Sequence, residues 1–152
     1  TSKPENSETY KFTSSQVHKF TGSQVHNLTR SHKKKDMNSH KDLLVYQKSL
    51  DLVEMIYRET RSFPAEEKFG LVSQLRRCAV SLPSNISEGA GRKGTKEFIH
   101  FLYIALGSLN EMETQMEISR RLGFINDLTN FTELFLHIKR MLLKLIDKLD
   151  NQ

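Results

Sequence analysis

From Leu43 to Leu149 apolar residues recur every three or four positions, and no stretch alternates with period two. That pattern excludes a sheet as a main element and predicts helices. Breaks fall at Pro64, at the Gly89–Gly94 run and at Gly123. Four segments with short connections leave one economical arrangement, an all-α, antiparallel up-down-up-down four-helix bundle.

The first segment is Leu43–Phe63. Tyr46, Leu50, Val53, Tyr57 and Thr60 follow one face, and Val45, Leu52 and Ile56 widen it. Pro64 ends this segment and suits the first turn of the next. The second runs from about Ala65 to Ala90, with Leu71, Leu75, Cys78, Ala79, Leu82 and Ile86 inward. Cys78 falls inside that stripe, which predicts a small buried apolar residue rather than a nucleophile. Pro83 removes a hydrogen bond to the Ala79 carbonyl and predicts a kink, with Ser81 and Ser84 near the freed backbone.

The third segment is about Thr95–Leu122, with Thr95 as N-cap and Glu97 in the first turn. Phe98, Phe101, Leu102, Ala105, Leu109, Met112 and Met116 form its stripe, and Gly123 is the stop. The fourth is about Leu128–Leu149, capped by Asp127 or Asn126. Phe131, Leu134, Phe135, Ile138, Leu142, Leu145, Ile146 and Leu149 share its inner face. Leu136 and Leu143 lie off that face, seven residues apart. They read as scattered surface leucines or as a subunit seam.

Charge divides the chain at about residue 40. The whole carries a formal +5, but residues 1–40 hold seven Lys/Arg against three Asp/Glu, so the body from residue 41 is nearly neutral. The tail repeats an octad, KFTSSQVH at Lys11–His18 and KFTGSQVH at Lys19–His26, with a degraded third copy at Asn27–His32. Its Ser, Thr, Gln and Lys cannot bury enough apolar surface to order it. The expectation is a disordered basic tail over 1–40 and a bundle domain over 41–152. In the sharper reading Lys33, Lys34 and Lys35 form an arm for nucleic acid. Octad spacing alone is poor evidence for a metal at His18 and His26. Met37 is a plausible translation start, which leaves residues 1–36 as read-through of repetitive DNA.

No apolar run reaches membrane-spanning length, and no signal peptide is seen. One cysteine excludes an internal disulfide framework and any multi-thiolate zinc site. A cytoplasmic home follows as the default.

The motifs point away from catalysis. Gly89–Gly94 formally matches GxGxxG, but a helix precedes it where the dinucleotide fingerprint needs a strand. Glu97-Phe98-Ile99-His100 is an ExxH, yet His100 falls opposite the core stripe, and Glu133 with His137 has the wrong spacing for a second. No metal, cofactor or catalytic residue is expected. The candidates for phosphate contact are Arg76, Arg77, Arg92, Lys93 and Lys96; Arg76 and Arg77 point about 100° apart. A polar stripe of Gln74, Ser81, Ser84, Asn85 and Glu88 accompanies Arg77. It reads as a solvated face or a partner contact.

Three runs carry a family resemblance. They are KDLLVYQKSLDLVEMIY (Lys41–Tyr57), Leu71–Ile118 with its QLRR-x-A-V-S-x-P-S-N-I-x-E-G-x-G-R core, and RLGFI (Arg121–Ile125). The body resembles the bacterial four-helix bundle proteins first noticed in intervening sequences of 23S rRNA genes. The resemblance implies a homopentameric ring of four-helix protomers. It is also similar to the accessory protein of diversity-generating retroelements, which partners a reverse transcriptase and binds nucleic acid. The expected function is therefore a non-enzymatic, ring-forming adaptor that contacts RNA, DNA or a nucleic-acid enzyme. The alternative is a purely structural or protein-interaction scaffold.

Overall fold

Helical periodicity in the sequence becomes four helices in the computed structural model, which describes residues 39–151. They are α1 (Leu44–Glu59), α2 (Leu71–Ala90), α3 (Thr95–Arg121) and α4 (Thr129–Asp150). Short 3₁₀ turns precede α1 and fill its connection to α2, and no strand occurs among the described residues. The octads, Lys33–Lys35, His18 and His26 lie outside the described residues.

Neighbouring helices pack in the order α1, α2, α3, α4, and α1 also meets α4. Cross-helix contacts give the directions. Arg77 pairs with Glu111 and Ser81 with Ser108, so α3 descends as α2 rises. The core is closed by apolar side chains from all four helices, with Leu52, Ile56, Leu75, Leu82, Leu102, Leu109, Met112, Phe135 and Leu142 fully buried. Burial of each such side chain is worth about 1.5–3 kcal/mol, the main force holding the bundle.

The first helix faces inward one residue away from the expected stripe. Its core positions are Val45, Ser49, Leu52 and Ile56. Leu50 and Tyr57 stay 40% and 39% exposed. Ser49 returns its hydroxyl to the Tyr46 carbonyl, so a polar residue sits in the core without an unmet bond. Thr60 does the same to the Ile56 carbonyl, at 2.8 Å.

The second helix starts at Leu71, not near Ala65. Residues Ala65–Lys68 form a 3₁₀ turn, and Gly70 breaks the path. The Glu67 carboxylate accepts the Leu71 N–H at 3.0 Å and so caps the true start. The helix then runs as one element through the buried Pro83. Ser84 donates to the Val80 carbonyl at 2.7 Å, and Asn85 to the Ser81 carbonyl at 2.8 Å. These side chains reinforce the carbonyls next to the proline gap, while the Ser81 hydroxyl turns to Ser108 instead.

Gly94, not Thr95, caps α3, and Thr95 is its first residue. Phe98 and Phe101 are only half-buried, at the edge of the core. Gly123 adopts φ +76°. Its N–H reaches the Arg120 carbonyl and that of Phe124 the Ser119 carbonyl, the paired bonds that close a helix on a left-handed glycine. The N-cap of α4 is Leu128, which makes no side-chain cap bond, and not the expected Asn126 or Asp127. The Asp127 carboxylate accepts the Thr129 N–H at 2.8 Å and hydroxyl at 2.6 Å, which holds it below the usual carboxylate range.

Candidate functional site

The α2–α3 connection is the most cationic turn of the described bundle. It places Arg92, Lys93 and Lys96 within five residues, beside the N-terminus of α3. All three are exposed. Arg92 is braced: it pairs with Glu88 one turn earlier and lies 4.9 Å over the Phe101 ring. Lys93 and Lys96 form no ion pair with the described residues. The first turn of α3 also points unpaired N–H groups and a partial positive charge the same way.

A close helix crossing fixes this turn. A Cβ on the buried Gly89 would sit 2.7 Å from the Phe101 Cβ and 2.8 Å from Phe98. The first glycine of the GxGxxG match therefore serves packing of α2 against α3. With a helix before it and no strand among the described residues, the run lacks the frame of a dinucleotide site.

Arg76 and Arg77 diverge. Arg76 turns to α1, where its Nε donates to the Thr60 hydroxyl at 3.0 Å and its guanidinium stacks 4.7 Å over Tyr57. Arg77 turns to α3 and meets Glu111 at 2.8 Å. Neither joins the cations of the turn.

The polar stripe on α2 splits in the same way. Gln74 accepts from Arg77, Ser81 meets Ser108 at 2.9 Å, and Asn85 donates to Ser81. Together with Glu111 and Gln115 they form a polar seam between α2 and α3. Ser84 lies on the other side, towards α1, and Glu88 is held by Arg92. The sequence reading missed Ser108, Glu111 and Gln115, which carry the other half of the seam. Their spacing at i, i+3 and i+7 puts them on one line of α3, a signal hidden because each looks like a solvated polar residue alone.

Cys78 lies under this seam, 1% exposed, with its Sγ 3.8 Å from the Gln115 side-chain Oε1. Burial, then the nearby Glu111 carboxylate, pushes the thiol up to about 11. It stays protonated at neutral pH. Alkylation of the native protein at pH 8 is expected to run at least about a hundredfold slower than after denaturation, as a two-unit rise in pKa implies. Equal rates in the two states would contradict the buried placement.

The ExxH of α3 faces outward: Glu97 and His100 are exposed, as are Glu133 and His137 on α4. No cluster of three or more metal-ligating side chains occurs among the described residues. At the far end of α3, hydrogen bonds from Arg120 and then Arg121 hold Glu117 down at about 2. The Glu117 carboxylate lines a cleft of about 540 Å³ between α3 and α4, with Ile118, Phe131 and Phe135. Leu136 and Leu143 stand outside the core at 40% and 45% exposure. No described helix is long and apolar enough to cross a membrane.

The family model described as 23S rRNA-intervening sequence protein matches residues 41–144. A solved structure from Bacteroides thetaiotaomicron, a protein of unknown function from the S23 ribosomal protein family, is similar. It shares 27% identity at a TM-score of 0.51, over 70% of this chain and 94% of that chain. No curated protein matches.

Proposed function

Because the chain belongs to the 23S rRNA-intervening sequence protein family, we propose that it acts as a non-enzymatic, self-assembling helical adaptor for nucleic acid. In this reading the α2–α3 turn touches the phosphate backbone of RNA or DNA. One observation carries it: Arg92, Lys93 and Lys96 share a turn whose position is fixed by the Gly89 crossing. Cations held on a rigid mount lose less freedom on binding than cations on a loose arm.

Three cations per protomer make a weak site alone. A closed assembly repeats the turn around a rim, and repeated weak contacts on one strand multiply into useful avidity. The ring of five that the sequence resemblance implies belongs to this proposal, as does service to a reverse transcriptase or similar enzyme at that rim.

Phosphate contacts carry no base information and release counterions. Arg92→Ala with Lys93→Ala is therefore expected to weaken retention on single-stranded RNA and DNA of all sequences alike, by about tenfold or more at low salt. The same change makes the salt dependence shallower. Filter retention across a salt series reads both effects. Unchanged retention, or a loss confined to one sequence, overturns the reading. Absence of any retention by the wild-type chain would favour the alternative, a scaffold for proteins.

A further inference from the structure

Two surfaces with exposed apolar side chains lie on opposite sides of the bundle. One lies between α1 and α2, a cleft of about 310 Å³ lined by Tyr46, Leu50, Val53, Val80 and Pro83 with two serines. No charged side chain lines it. The cleft leads towards the stacked pair of Tyr57 and Arg76. Among the described residues Arg76 makes one hydrogen bond, through Nε, so its two Nη groups are open to a partner.

The other surface lies along α3 and α4. Leu136 lines a cleft with Arg120 of α3, and Leu143 follows two turns later on the same line. Tyr103, 55% exposed, is on the same row of α3 as Thr114, Glu117 and Arg121, which face α4. Glu113 borders this surface and is in no ion pair with the described residues. Since the helices follow one another around the bundle, the α1/α2 and α3/α4 surfaces face opposite ways.

Their charges also stand at one height. Arg77 meets Glu111, and Cys78 meets Gln115. Arg76 is therefore level with the stretch of α3 that contains Glu113. A second copy moved sideways, without sliding along the bundle axis, brings its Glu113 to the open side of Arg76. It brings Leu143 over the uncharged cleft and Leu136 beside the Arg76 end of it. The α1/α2 cleft, apolar and uncharged and flanked by an aromatic-stacked arginine, has the composition of a protein interface core, while the docking face brings its leucines among Arg120, Glu117 and Glu133 at the rim.

We propose that the α3/α4 face of one copy of this chain docks in the α1/α2 cleft of the next, with Glu113 meeting Arg76. The contact joins two different patches, so each copy offers one of each. Repetition of such a contact closes a ring when its rotation permits. Level docking sets every α2–α3 turn on the same rim. The inference rests on the self-assembly in the proposed function and names its interface.

The test uses the full chain, with native mass from light scattering and helical content from circular dichroism. Arg76→Glu and Glu113→Arg are each expected to weaken association at least tenfold while the helical signal stays. The double exchange, Arg76→Glu with Glu113→Arg, is expected to restore it to within about threefold, because the pair is re-formed with its sense reversed. Val80→Glu, in the cleft and away from the Thr60 bond, is expected to dissociate the assembly without either charge change. A wild-type chain that is monomeric at all concentrations overturns self-assembly and this interface together. An oligomeric wild type that tolerates Glu113→Arg and Val80→Glu overturns the interface alone.

Discussion

Gly89→Ala is expected to destabilise the bundle by about 1–3 kcal/mol, the usual cost of forcing an extra group into a packed core. Helix propensity alone argues the other way, since Ala gains about 1 kcal/mol over Gly within a helix. Packing wins because the new Cβ would fall 2.7 Å from the Phe101 Cβ, an atom that moves only with the α3 backbone. Gly107 provides the internal control. It lies within α3, and a Cβ there would meet nothing within 4 Å. Gly107→Ala is therefore expected to stabilise by about 0.5–1 kcal/mol. Thermal melts of the two variants should shift in opposite directions. A shared sign would mean that the α2–α3 crossing is not as tight as the geometry requires.

Leu136→Glu with Leu143→Glu is expected to dissociate the assembly into folded monomers. Both leucines lie off the core, so their loss leaves the Phe131, Phe135, Ile138 and Leu142 stripe intact. At a subunit seam each would bury apolar area worth up to about 1.5–3 kcal/mol, and the glutamates would instead bring unpaired charge into the contact. The penalty recurs at every interface of a closed ring. Light scattering with circular dichroism decides it. An intact oligomer means ordinary surface leucines, and loss of the helical signal means that α4 packs by a different face.

The number and direction of the helices were legible because each apolar stripe repeats over four turns or more. Gly123 was legible for a different reason, since a left-handed stop admits few residues other than glycine. The face of α1 was not. Its outward row of Tyr46, Leu50, Val53 and Tyr57 is as apolar as its inward row, and the inward row includes a serine. Hydrophobicity could not choose between them. The resulting excess of apolar surface on α1 is the same feature that forms the open cleft beside α2. The start of α2 was obscured because Glu66 and Glu67 suit a first helical turn, whereas Gly70 and the Glu67 carboxylate set the boundary four residues on.

Candidate cations were identified by residue type, and here the sequence could give identity without direction. Arg76 and Arg77 are adjacent in the chain but serve opposite flanks of α2. Arg92, Lys93 and Lys96 instead lie exposed within one connection, between α2 and the first turn of α3. The polar stripe likewise resolved into separate settings, with Ser81 and Asn85 in the α2–α3 seam and Ser84 beside α1. A stripe on one helix names its neighbours only when the matching row on the next helix is read with it.

Native mass spectrometry of the full chain with a short single-stranded RNA at low salt tests the adaptor reading most directly. The account predicts a discrete closed oligomer that carries the RNA, with the RNA lost from intact protein assemblies as salt rises. A chain that stays monomeric, or an oligomer that carries no RNA at the lowest salt, would contradict it.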